Sequence, residues 1–402
     1  MITVSEAFTL LQQNLPQPST EERRLIEAHG YYLAADVLAP EPSPRFTNSA
    51  MDGYAVRWSD VLAASKNHPA ALRLVGESRA GGPYPDLVGP GEATRISTGA
   101  MLPPGVDTII RVEDTSETAE RVLILAAPKP GQDVRHAGEE FEKGEKLLPA
   151  TSRLGSRQLA LLAAVGINQV PVFANPRVAI IGTGSELIVG AEQELKGHQI
   201  RDSNTIMLLN AVQECDGEVI NCCHVVDDLA ATVAALHQAM TGRPAILLCS
   251  GGVSVGRHDH VKEAAAQVGF TEIFWRIRQK PGKPLFLARQ GDTLLFGLPG
   301  NPVSAFMCFT HYIRPVLAWL HGQIFTQPSI TARAGETISN SGKRTNFMRV
   351  TITQQPGSVP AISSVAKQGS HMLTSIVLAD GYISLEPGES VETDGLVEVF
   401  LL

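Results

Sequence analysis

The stretch AILLCSGGVSVGRHDHVKEAAAQVG, residues 245–269, decides the fold. It opens with an apolar run of strand length (AILLC, 245–249), passes through a glycine-rich loop (Ser250–Gly256), and continues into a helical run (VKEAAAQVG, 261–269). Working outward, the same alternation repeats. VAIIG (178–182), EVINCCHV (218–225) and IFWRIR (273–278) read as further strands, and TIMLLNAVQEC (205–215) and LAATVAALHQAM (229–240) as helices. Strand–helix alternation at this spacing predicts an α/β domain with a mainly parallel sheet over residues 177–325. A hairpin, FLA and TLLFGL around Gln290-Gly291-Asp292, completes the sheet, and Asn301 with Pro302 opens a buried helix, VSAFMCFTHYIRPVLAWL.

The flanking chain differs. Thr3 and Glu6 stand at capping-box spacing before an amphipathic run. A second helix is expected after Thr20 (EERRLIEA), and another in SRLGSRQLALLAAVGI (152–167), ending at Gly166. These define a mainly helical, discontinuous domain, 1–42 plus 137–176. Residues 43–136 hold short alternating runs between dense Gly/Pro turns and predict a β insertion domain. Residues 326–402 return to short strands (FMRVTIT, VEVFLL) and predict a small, barrel-like β domain.

The composition excludes several functions. The 402 residues carry 33 Lys+Arg against 41 Asp+Glu, a net charge of -8, which disfavours general nucleic-acid binding. No apolar run reaches the roughly 18 residues of a membrane span, and no signal peptide is legible at the start of the sequence. The five cysteines are odd in number and lack a C-x-x-C, so free, buried thiols in a reducing cytoplasm are expected.

Ligands of open α/β sheets bind at the carboxyl ends of the strands. Four loops there stand out: Thr183-Gly184-Ser185-Glu186, Asp227-Asp228, Ser250–Gly256 followed by Asp259, and Leu298-Pro299-Gly300-Asn301-Pro302. Three glycines in the Ser250–Gly256 loop, with Gly251 and Gly252 adjacent, permit close backbone approach to an anion, and a helix N-terminus follows. Asp227, Asp228 and Asp259 occupy expected N-cap positions, and carboxylates around a phosphate site also suit Mg²⁺. Residues 257–283 carry six Lys/Arg against three acids. Within them Arg276 and Arg278 are expected on one strand face, and Lys280-Pro-Gly-Lys283 sets two ammonium groups on a turn. That is an anion-receiving rim.

Read together, NSAMDGYAV (48–56), ISTGAMLPPGVDTIIRVEDT (96–115), SGGVSVG (250–256), KPGKP (280–284), FGLPGNPVSA (296–305) and GSHMLTS (369–375) closely resemble the molybdopterin molybdenumtransferase family, which includes bacterial MoeA and the gephyrin E domain. The resemblance runs from end to end. It implies an elongated, four-part subunit with a three-layer α/β/α molybdopterin-binding-like domain, and a homodimer whose cleft pairs that domain with the partner's β insertion. It also implies binding of adenylylated molybdopterin, Mg²⁺-dependent hydrolysis that releases AMP, and transfer of molybdenum from molybdate, which is a substrate. A transient contact with the molybdopterin adenylyltransferase would deliver the pterin.

Carried over by motif, Asp52, Glu140, Glu186, Asp227, Asp259 and Lys280 are the expected catalytic residues, with Glu186, Asp227 and Asp259 also as Mg²⁺ ligands. Thr98, Arg135, Ser250, Gly251, Gly252, Arg276, Lys283, Pro299 and Pro302 are expected to bind the pterin substrate. Lys280, Lys283, Ser304, Arg344 and Ser370 are the expected molybdate contacts. Three positions depart from the common pattern: Glu140 stands for Asp, Ser185 for Asp, and Arg276 for Lys. Two other readings remain open, a non-catalytic scaffold and a nucleotide-derivative pyrophosphohydrolase that shares only the α/β domain.

Overall fold

The structure, a computed structural model, describes residues 1–402 except 191–193, 254–258 and 355. It resolves into two compact units, the larger formed by Met1–Arg23, Gly30–Ala34 and Pro171–Leu402, the smaller by Arg24–His29 and Ala35–Val170.

In the larger unit the expected alternation is present. In chain order it runs β1 (Arg177–Thr183), α1 (Asn204–Glu214), β2 (Glu218–Val225), α2 (Leu229–Thr241), β3 (Ile246–Ser250), α3 (Val261–Val268), β4 (Thr271–Trp275), β5 (Phe286–Gln290), β6 (Thr293–Leu298) and α4 (Pro302–Cys308). The sheet order is β2-β1-β3-β6-β5-β4. β2, β1, β3 and β6 are mutually parallel, and β5 is antiparallel to both of its neighbours.

Strand residues alternate between faces, and here both faces are apolar. Val178, Ile180, Ile246, Leu248, Leu294 and Phe296 pack against α1, α4 and the N-terminal helix Val4–Gln13. Ala179, Ile181, Leu247, Cys249 and Leu295 pack against α2 and α3. The result is the expected three-layer domain. Each fully buried aliphatic side chain contributes roughly 1.5–3 kcal/mol.

α4 leads through a wider π turn (Phe309–Ile313) into a further helix, Arg314–Leu320, whose second residue is Pro315. Proline has no N–H to complete the preceding turn, so the ladder is interrupted there.

That turn carries His311, only 6% exposed, with Nδ1 2.6 Å from the Tyr382 hydroxyl. Burial, reinforced by the Arg314 guanidinium, lowers its pKa to about 3. Tyr312, Tyr382, Phe347 and Phe400 also surround the ring. The folded state therefore holds a neutral imidazole, whereas the unfolded chain protonates below about pH 6.5. The contribution is complete above that pH and is lost progressively as pH falls toward 3, on the order of 3 kcal/mol by pH 4. We expect the urea midpoint of the wild type to fall more steeply between pH 7 and 4 than that of His311→Gln. Parallel profiles would contradict this.

The C-terminal strands Thr345–Thr353, Ala361–Ser364, Ser329–Ala334, Leu396–Leu401 and Gly381–Leu385 pair in that order, and the last returns to the first. They form a closed barrel around Ala332, Val350, Ile362, Ile383, Leu385 and Val399.

In the smaller unit, a six-stranded sheet runs Thr108–Arg111, Gly53–Val56, Glu92–Ile96, Ala70–Ser78, Arg121–Ile124 and Thr115–Glu117, the expected β insertion. Its core includes Tyr54, Val56, Leu72, Ile110 and Val122.

Four expectations are corrected. The run after Thr20 is a strand, Thr20–Arg24, and a 3-10 turn, Leu25–Glu27. The five residues Thr20–Arg24 are all polar, so a helix there would have no apolar stripe to bury. Of the chain expected to be mainly helical, Val4–Gln13 and Ser156–Ala164 are α-helix. The strand expected over 273–278 stops at Trp275, because Arg276 takes a left-handed conformation (φ 70) that breaks the alternation with Arg278. All five cysteines are free, but Cys222 is exposed and only Cys249 and Cys308 are fully buried. Among the described residues, no helix is long and apolar enough to cross a membrane.

Candidate active site

Because β2, β1, β3 and β6 are adjacent and parallel, their carboxyl ends lie side by side, and their loops line one cavity of about 1020 Å³ within the larger unit. Glu186, Asp227, Ser250, Gly251, Gly252, Asp259, Lys280, Lys283, Pro299, Pro302, Ser304, Arg344 and Ser370 all line it. Ser254, Val255 and Gly256 of the glycine-rich loop, and Arg257 after it, lie outside the described residues.

The first two loops are tied to each other. The Ser185 N–H donates to Asp227 Oδ2 (2.9 Å), and the Asp227 N–H donates to Ser185 Oγ (3.0 Å). His224 Nε2 lies 2.8 Å from the Gly184 oxygen. Ser185, where a carboxylate is usual, thus pairs with Asp227 without repelling it. Of the three aspartates expected as helix caps, only Asp228 is one, accepting from the Ala231 N–H (2.8 Å). α3 starts at Val261 with His260 in the cap position, which leaves Asp259 on the cavity wall.

The glycine pair is needed for its conformation. Gly251 has φ +97, and a Cβ there would lie 2.5 Å from the Thr183 oxygen. Its N–H is spent on the Leu298 oxygen (3.0 Å), so not every amide of this loop faces a ligand. Asn204, which sequence reasoning missed, joins two loops. Its Nδ2 donates to Ser250 Oγ (2.9 Å) and to the Gly300 oxygen (2.8 Å). The polar run Arg201-Asp202-Ser203-Asn204 before an apolar helix was its only signal, and capping accounts for such a run. Arg201, Asp202, Gln368 and His371 are further lining residues missed in the sequence.

Lys280, Lys283 and Arg344 contribute cations to the same lining. The turn carrying Lys280 and Lys283 is fixed from below by Gln279, which is fully buried. Gln279 Nε2 donates to the Pro281 oxygen (3.1 Å), and its Oε1 accepts from the Tyr312 hydroxyl. Gln279–Lys280 also pairs with Thr345–Asn346 of the barrel, and Arg344 donates to the Gln279 oxygen (3.1 Å). The Val303 N–H donates to the Ser370 oxygen (3.2 Å), and Ser370 and Ser304 both line the cavity. Among the described residues Lys280 and Lys283 form no ion pair.

Arg276 is not among the lining residues. Its guanidinium carbon lies 3.9 Å from the centroid of the Trp275 ring. Asp52, Thr98, Arg135 and Glu140 belong to the smaller unit. There Asp52 Oδ1 accepts from the N–H (2.7 Å) and Oγ1 (3.1 Å) of Thr98. Glu140 Oε2 accepts from Ser43 Oγ (2.7 Å), and the exposed Arg135 pairs through its backbone with Asn48.

Among the described residues, no three Asp, Glu, His or Cys side chains converge closely enough for an all-protein metal cage. Mg²⁺ does not require one, since it is held by one or two carboxylates with phosphate and water. The donors Glu186, Asp227 and Asp259 fit that mode, though not the expected three-ligand set.

Fold and cavity together define a protein of the open α/β class, with its ligand site at the carboxyl edge of the sheet. The chain matches the MoeA N-terminal region (domain I and II) over residues 2–166, a probable molybdopterin binding domain over 179–319, and the MoeA C-terminal region (domain IV) over 331–402. It is 35% identical to a molybdopterin molybdenumtransferase of Haemophilus influenzae, covering 96% of this chain and 95% of that protein. It is 36% identical to one from a Nostoc species, covering 86% and 80%. A crystal structure of a molybdopterin biosynthesis MoeA protein from Pyrococcus horikosii superposes with a TM-score of 0.86 at 33% identity, covering 100% and 99% of the two chains. The chain belongs to the molybdopterin molybdenumtransferase family.

Proposed function

We propose that the chain binds adenylylated molybdopterin and molybdate in this cavity, cleaves the pyrophosphate link and releases AMP, and transfers molybdenum to the pterin dithiolene. The observation that carries this reading is the gathering of cations and carboxylates around one cavity at the carboxyl edge of the sheet. Lys280, Lys283 and Arg344 line it together with Glu186, Asp227 and Asp259, in a space of about 1020 Å³, large enough for a pterin nucleotide.

The cations clamp the phosphate oxygens and, with Ser304 and Ser370, receive the molybdate dianion. Pyrophosphate cleavage relies mainly on such electrostatic clamping. Asp227 or Asp259 orients the attacking water, whose oxygen bonds to phosphorus as the bond to AMP breaks. One or two of Glu186, Asp227 and Asp259 would hold a Mg²⁺ ion, which would supply charge screening at the phosphates. Pro299 and Pro302 shape the floor beside α4.

The enzyme acts as a homodimer in the cytoplasm, where its free thiols remain reduced. Asp52, Thr98, Arg135 and Glu140 of a second subunit complete the site, and the adenylyltransferase delivers the pterin in a transient complex. The test is AMP release and molybdenum retention, followed by mass spectrometry, with adenylylated molybdopterin, molybdate and Mg²⁺. One AMP per molybdenum transferred is expected. Well-folded protein that binds the pterin and releases no AMP would instead support a scaffold.

A further inference from the structure

The backbone that carries the glycine pair is held by a side chain from outside the cavity. Trp275, the last residue of β4, donates its indole Nε1–H to the Val253 oxygen at 3.0 Å. Val253 directly follows Gly251-Gly252 and lines the same cavity. Its Cγ1 occupies the space that a side chain at position 297 would need, since a Cβ on Gly297 would lie 2.5 Å from it. The loop is therefore fixed on one side by packing and on the other by a directed hydrogen bond.

The indole is itself fixed. Lys262 Nζ lies 3.5 Å from its ring centroid and forms an ion pair with Glu272 at 3.0 Å. The Arg276 guanidinium lies 3.9 Å from the same centroid. Arg276 reaches that position through a left-handed backbone (φ 70), a conformation unfavourable for a non-glycine residue. A planar guanidinium stacks on an aromatic face better than an ammonium, which accounts for arginine at this place.

We infer that Trp275 is a positioning residue for the Gly251–Gly252 loop, with Arg276 and Lys262 fixing its ring. Affinity for the pterin nucleotide then depends on a tryptophan that does not line the cavity. The inference rests on the cavity being the pterin-nucleotide site.

Trp275→Phe keeps an aromatic ring beside both cations and removes the N–H donor together with the second ring of the indole. Amide hydrogen exchange of the unliganded protein is expected to quicken roughly 5- to 10-fold over residues 250–253, the size of one lost neutral hydrogen bond, while β6 stays unchanged. The dissociation constant for adenylylated molybdopterin should rise by the same factor, and that for molybdate, with Lys280 among its proposed contacts, by less than about 2-fold. Arg276→Ala, which keeps the indole N–H but removes one of the two cations on the ring, should give a smaller change of the same kind, and Arg276→Lys should restore only part of it.

Unchanged exchange over 250–253 in both Trp275→Phe and Arg276→Ala would overturn the positioning role. So would equal losses of pterin and molybdate affinity, which indicate general destabilisation. Wild-type protein that fails to bind the pterin nucleotide would count against the proposed function instead, and the exchange result would still decide the role of Trp275.

Discussion

Lys280→Ala is expected to lower molybdenum insertion by at least about 100-fold, the scale of losing one preorganised cationic contact to a developing anion. The melting temperature should hardly move. The Lys280 ammonium is exposed and forms no ion pair among the described residues, whereas its backbone is held independently by pairing with Asn346 and by the buried Gln279 beside it. Charge can thus be removed with little structural consequence. Rates measured under saturating and subsaturating molybdate separate the two expected uses of this charge. Loss recovered by excess molybdate would assign Lys280 to molybdate capture, and loss that persists would assign it to pyrophosphate cleavage. Near-wild-type activity under both conditions would show that Lys280 takes no part in the reaction.

Asp227 allows a finer separation, because its carboxylate has a structural partner as well as a proposed chemical role. Oδ2 accepts from the Ser185 N–H. Asp227→Asn keeps an oxygen for that bond and removes the charge, whereas Asp227→Ala removes both. Both variants should lose AMP release by about 100- to 1000-fold. Only the alanine variant should also lose stability, by about 1 kcal/mol, visible as a lower urea midpoint. If the asparagine variant kept its activity, Asp227 would be a loop tie and Asp259 or Glu186 would carry the chemistry.

The layers of the α/β domain were legible because its strands are short apolar runs between helical runs, and β1 shows why. Val178 and Ile180 face one layer of helices and Ala179 and Ile181 the other, so no polar residue interrupts the run. The candidate site was legible in the same way, since strand ends and glycine loops mark the rim. The less legible features depend on contacts distant in sequence. Asn204 looks like an ordinary residue at a helix start, and its use becomes visible only when Ser250 and Gly300 are brought beside it. Gln279 sits between two charged residues, and nothing local indicates that it is fully buried under the lysine turn.

Arg276 illustrates the opposite error. Strict alternation along 273–278 put it on a face with Arg278, but a single left-handed residue ends the strand and lays the guanidinium on Trp275. Asp259 was readable as a cap by position alone, and the helix starts one residue too late for it to serve. The polar run after Thr20 failed for want of an apolar face, a deficiency that charge patterning alone conceals.

The account stands on the claim that loops at the carboxyl edge of one sheet bind both the pterin nucleotide and molybdate. A crystal structure of the protein with adenylylated molybdopterin and molybdate tests it most directly. The pyrophosphate should lie beside Gly252 and Lys283, and the molybdate between Lys280, Arg344 and Ser370. Either ligand bound away from these residues, with the cavity filled only by solvent, would contradict it.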